Sequence, residues 1–191
     1  MGEPGTTARV GPSDEEAERL LAAARDAIEA VVRHRPPHPH PAEAGEAFQR
    51  DGAAFVTLRT PDGELRGCIG ELEARRPLIE SVRGCAVSAA LRDPRFAPVR
   101  PDELAGLRIG LSLLTPARPV RGPEDVEVGR HGVIVERGPH RGVLLPEVGR
   151  EQGWDAPTFV AATCRKAGLP MDAWRDPQTR VSVFETVKIP R

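Results

Sequence analysis

Apolar positions recur along this chain at two spacings, one suited to helices and one to strands. Leu20, Leu21, Ala24, Ile28, Val31 and Val32 fall on one helical face, which predicts an amphipathic helix. Ser13 and Glu16 stand in front of it with the spacing of a capping box, and Pro36 and Pro37 end it. A second helix starts at Pro77, turns Leu78, Ile79, Val82, Ala86, Ala89 and Ala90 inward, and stops at Asp93-Pro94. Asp155 caps a third, with Phe159, Val160, Ala162 and Ala167 inward and Gly168 as its C-cap.

Residues 52–59, 64–72 and 107–114 read as strands, the first two joined by the turn Pro61-Asp62-Gly63. Residues 132–136 and 141–145 form a second hairpin around Gly138-Pro139, and 180–189 alternate as a final strand. Hairpins interspersed with single helices predict an α+β fold with antiparallel sheets. Residues 1–12 read as a disordered tail, and 13–191 as one domain interrupted by an exposed Pro/His-rich linker, RHRPPHPHPAE, at 33–43.

The chain has 191 residues, enough to bury a core without disulfides or metal. Its 27 basic and 28 acidic residues leave a net charge of −1. That argues against a nucleic-acid binder relying on bulk electrostatics, as do the low aromatic content and the lack of a nucleic-acid motif. All basic residues but Lys166 and Lys188 are arginine, a bias that GC-rich coding produces. No apolar run approaches the ~20 residues of a membrane span, and the first residues lack the plan of a signal peptide. Cys68, Cys85 and Cys164 lie far apart with no Cys-x-x-Cys, so a reduced, cytoplasmic setting is expected. There is no P-loop and no G-x-G-x-x-G, and no cofactor is implied.

The densest chemical signal is Leu65-Arg66-Gly67-Cys68-Ile69-Gly70. Glycines inside a strand mark a bulge or the close approach of a backbone or ligand. On one strand face, Arg66 would favour the Cys68 thiolate, as a nucleophile, redox thiol or soft ligand requires. The other reading is a cysteine packed as a small hydrophobe. His34, His38 and His40 could hold a transition metal, but their proline-rich linker lacks a scaffold, and no metal site is assigned. His131 is a general base if it lies near Cys68, and otherwise a turn histidine. Cys164, Trp154 and Trp174 read as core positions.

The hexapeptide at 65–70 resembles the signature of the AMMECR1 domain family, also described as protein A of the AmmeMemoRadiSam system. The resemblance continues through AALRDPRFAPV (89–99), LSLLTP (111–116), HGVIVERGPHRGVLLPEV (131–148), FVAATCRKAGLP (159–170) and Trp174. Gly110 and Glu147 depart from it, where an acidic residue and Gln are expected. It implies two intertwined subdomains, a larger antiparallel sheet flanked by helices and a smaller antiparallel sheet, with a cleft between them. It also implies companions: a Memo-like protein and a radical S-adenosylmethionine enzyme. The chain lacks Cys-x-x-x-Cys-x-x-Cys, so it is not that radical enzyme.

Carried over, the motif gives Cys68 and Arg66 as catalytic candidates. Leu65, Gly67, Ile69, Gly70, Asp93, Arg95 and Phe96 are candidates for binding substrate or partner. Asp93 and Arg95 could equally satisfy a helix-ending turn, and Arg141 and Gly142 could face the cleft or cross to the neighbouring strand. The resemblance names no reaction, so whether the chain is an enzyme stays open. One expectation is an enzyme or enzyme component acting on a small anionic or electrophilic molecule. Arg66 would orient it, Cys68 would attack it, and amides near Gly67 and Gly70 would stabilise an oxyanion. The other is a non-catalytic module that docks a partner protein through the 65–70 ridge.

Overall fold

The computed structural model describes residues 11–38 and 46–189. The expected tail, apart from residues 11 and 12, lies outside them, as do His40 and residues 39–43 of the linker. The chain divides into two units, Met1–Leu113 with Val187–Arg191, and Leu114–Thr186. Each has its own antiparallel four-stranded sheet and its own apolar core. The architecture is the expected α+β.

In the first unit, α1 (Asp14–Val32) begins with the predicted capping box: Ser13 Oγ accepts from the Glu16 N–H, and the Glu16 carboxylate accepts from the Ser13 N–H. After α2 (Glu46–Gln49) come β1 (Ala53–Arg59), β2 (Leu65–Gly70), α3 (Leu78–Leu91) and β3 (Arg108–Leu114). The sheet is completed by β8 (Thr186–Ile189) in the order β2-β1-β3-β8, which leaves β2 on an edge. Helix α3 packs on β1 and β2, and α1 packs on α3. Leu20, Ile28, Val56, Leu58, Val82 and Leu111 are among the fully enclosed residues of this core.

The second unit contains β4 (Arg118–Val120), β5 (Gly132–Arg137), β6 (His140–Leu144), α4 (Pro146–Glu151), α5 (Ala156–Lys166) and β7 (Arg180–Phe184). Its sheet order is β4-β7-β5-β6. Helix α5 covers β5 and β6, and Asp155 caps it through the Thr158 N–H at 2.9 Å. Trp154 and Trp174 pack against this core and Cys164 lies inside it. The sequence pattern misses β4, a short edge strand with Pro119 at its centre, a position where a missing N–H costs no ladder bond.

The predicted strand 180–189 is corrected to two strands in different sheets, broken at Glu185. There the Glu185 C=O accepts from the Thr115 N–H at 2.9 Å, and its N–H donates to Thr115 Oγ1 at 2.8 Å. Thr115 satisfies both backbone groups, so the chain can leave one ladder and enter another.

Two glycines let helices approach strands closely. A Cβ on Gly67 would lie 2.3 Å from the Ala89 carbonyl oxygen of α3, and one on Gly142 2.5 Å from the Thr163 carbonyl oxygen of α5. A Cβ on Gly110 meets nothing nearer than the Ile189 oxygen at 3.8 Å. Gly67→Ala and Gly142→Ala should each destabilise the protein by about 1–3 kcal/mol in urea unfolding. Gly110→Ala should be neutral or slightly stabilising.

Candidate functional site at the edge of the first sheet

The site begins with a register shift. Arg59 pairs with Leu65, but Leu58 pairs with Gly67, so Arg66 is the extra residue of a β-bulge. Had the register continued unbroken from Arg59–Leu65, Cys68 would face Val56 on the core side. The bulge instead sets Cys68 opposite Thr57, turned away from α3, and sets Gly67 against α3. Cys68 is half-buried, and its Sγ lies 3.3 Å from Thr57 Oγ1.

The outward peptide groups of Cys68 have side-chain partners. Its N–H donates to Asp93 Oδ2 at 2.8 Å, and its C=O accepts from the Arg95 guanidinium at 3.3 Å. Both groups therefore point away from β1, which makes Thr57–Cys68 a non-hydrogen-bonded pair, the kind with the closer side chains. By alternation the Gly67 and Ile69 amides point toward β1.

Asp93 sits just beyond α3 and is buried. Its Oδ1 accepts from the Arg95 N–H at 3.1 Å and from Arg95 Nε at 2.9 Å. Its Oδ2 also accepts from the terminal nitrogen of Arg95 at 2.7 Å. The Arg95 side-chain bonds hold the Asp93 carboxyl far below the usual carboxylate range; burial opposes this, and the Cys68 and Arg95 N–H groups reinforce it. Arg95 remains 54% exposed, with its guanidinium 5.5 Å above the half-buried Phe96 ring.

The sequence-derived candidates thus separate. Cys68, Asp93, Arg95 and Phe96 come together. Arg66 does not serve the thiol as expected: its guanidinium is bound bidentately by Glu103, at 2.7 and 3.1 Å. The guanidinium beside Cys68 is that of Arg95. The Arg66 bonds lower the Glu103 pKa against the opposing effect of burial, helped by the Arg100 N–H. Of the amides near Gly67 and Gly70 expected to stabilise an oxyanion, that of Gly67 is corrected: it points toward β1, and the Cys68 N–H beside it is occupied by Asp93. Gly70 lies beneath the Phe55 ring, where a Cβ would be 2.2 Å from Cγ. Ile69 packs on the core, and Leu65 is exposed.

Elsewhere, His38 bonds Asp26, and Arg141 pairs with Glu136 on the neighbouring strand. His131 is buried in the second unit, its Nδ1 accepting from the Glu127 N–H at 3.0 Å. Burial pushes its pKa down, with Arg118 adding to the effect and Glu185 opposing it. Thr57, Phe55 and Glu103 were missed in the sequence. Register counting from the Pro61-Asp62-Gly63 turn points near Thr57 but slips by one at the bulge.

The depressed Asp93 carboxyl has a pH signature. Its stabilising ionisation is fully present above the unfolded value of about 4 and is lost as pH falls below it. Asp93→Asn should therefore lower the urea midpoint most near neutral pH. The gap to the parent protein should narrow steadily in acid.

The AMMECR1 family profile matches residues 21–189. A protein from Thermococcus gammatolerans is 46% identical over 184 residues, covering 90% of this chain and 88% of its own. One from Methanothermobacter thermautotrophicus is 45% identical over 179 residues, covering 91% and 93%. The crystal structure of an uncharacterised protein from Pyrococcus horikoshii superposes with a TM-score of 0.75 at 39% identity, covering 92% of this chain and 91% of that one. A profile match over most of the chain, relatives of this identity and a shared fold establish that this chain belongs to the AMMECR1 family.

Proposed function

We propose that this protein is a thiol-dependent enzyme or enzyme component acting on a small, negatively charged electrophile. The observation that carries this reading is the setting of Cys68. A half-buried sulfur lies 3.3 Å from a hydroxyl, on a strand whose peptide at that residue is clamped by Asp93 and Arg95. A nucleophile needs a fixed position and a nearby positive charge, and Arg95 offers both a fixed Nε and an exposed guanidinium face. In this reading the Cys68 thiol loses its proton to solvent, and Thr57 donates a hydrogen bond to the sulfur anion. The sulfur electron pair forms a bond to an unsaturated carbon of the substrate while the carbon–oxygen π bond opens and its electron pair passes to oxygen, and Arg95 orients the substrate's negative group. Arg66 holds the bulge through Glu103. A Memo-like protein and a radical S-adenosylmethionine enzyme are the companions proposed for this chemistry.

A second reading, a non-catalytic docking module, draws on the edge position of β2 and the exposed Leu65 side chain. Cys68→Ser separates the two: it abolishes a thiol reaction and leaves docking intact.

Alkylation tests the thiol reading. Cys85 and Cys164 are buried, and burial pushes both thiols up. Iodoacetamide between about pH 5 and 9, read by peptide mass spectrometry, should modify Cys68 first and leave the other two until unfolding. Arg95→Gln should slow Cys68 several-fold at neutral pH. Equal rates at the three cysteines, or no effect of Arg95→Gln, would remove the nucleophile.

A further inference from the structure

Between α1 and α3, the first unit holds a cavity of about 390 Å³. Its floor is apolar, formed by Ala27 and Val31 of α1 and Val87 of α3. Its rim carries three arginines: Arg35, Arg83 and Arg92. None of these residues belongs to the Cys68 site.

The rim is short of negative charge. Asp26, with its side chain only 13% exposed, is shared by Arg35 at 3.0 Å, Arg83 at 3.8 Å and His38. Glu29 reaches Arg35 at 3.8 Å. Among the described residues, no ion pair holds the guanidinium of Arg92. Three guanidiniums therefore meet two carboxylates, and Arg83 completes its contacts with the His38 carbonyl oxygen at 3.1 Å. An apolar floor with a cationic mouth is complementary to a molecule having an apolar body and an anionic head. The volume lies in the range of small-ligand sites and the surface is concave, which favours a small molecule over a protein partner.

We propose that this cavity binds a small amphipathic anion, its apolar chain over Ala27, Val31 and Val87 and its carboxylate or phosphate head at Arg92 and Arg83. The site is independent of the chemistry at Cys68, so the two stand or fall separately.

Titration calorimetry on the full chain tests it, with decanoate as probe and decanol as its uncharged counterpart. Decanoate should bind one to one, about tenfold more tightly than decanol. Arg92→Glu, at an exposed position, should weaken decanoate roughly tenfold and leave decanol within about twofold. Val87→Phe, which fills the cavity, should weaken both. A decyl phosphate arm then shows which head group the rim prefers. The proposal is overturned if decanoate shows no saturable binding, if decanol binds equally well, or if Arg92→Glu leaves the affinity of decanoate unchanged. Should Val87→Phe fail to fold, the Arg92→Glu comparison decides alone.

Discussion

Two side chains do the work of a missing strand. β2 ends its sheet, and an edge strand exposes peptide groups that invite pairing with another chain. At Cys68 those groups are taken by Asp93 and Arg95, which are themselves joined by an ion pair. The acceptor and the donor arrive from one turn, so a single local motif closes both halves of the peptide. The position of the thiol, the ionisation of Asp93 and the orientation of Arg95 all depend on this clamp. Removing Arg95 strands the buried Asp93 carboxylate, a larger loss than the net value of one hydrogen bond, and removing Asp93 leaves the half-buried Cys68 N–H without its acceptor.

The clamp rests on close packing one residue away. Gly67 admits the backbone of α3 to β2, and Asp93 lies two residues past the end of that helix. A side chain at Gly67 would push α3 outward and carry Asp93 with it. The bulge at Arg66 supplies the complementary half, since it turns Gly67 toward the helix and Cys68 away from the core. Glu103 pins the bulged Arg66, and so reaches the site from a third segment. The Arg-Gly-Cys order thus has a structural logic independent of any reaction: pin, close contact, presented thiol.

Much of this was legible where the cause is local. The Ser13–Glu16 box, the Asp155 cap and the hairpin turns depend on residues a few positions apart, and the structure holds them as read. The parts that were not legible depend on distant partners or on phase. Val181, Val183, Val187 and Ile189 keep one alternating phase across the break at Glu185, so nothing in the pattern signals a change of sheet; the signal is Thr115, far away in the chain. A period-two count put Arg66 beside Cys68 because it could not see the bulge or Glu103, 37 residues on. The 89–99 block was recognised through family resemblance, but its grip on the Cys68 peptide follows only from three dimensions.

Amide hydrogen exchange at Cys68 tests the clamp most directly. An edge-strand N–H open to water exchanges quickly, whereas one bonded to a buried, ionised carboxylate opens only when the clamp does. The account predicts that the Cys68 amide is protected like the interior amides of β1, and that Asp93→Asn erases that protection while leaving β1 protected. Fast exchange of the Cys68 amide in the parent protein, at the rate of an exposed turn, would contradict it.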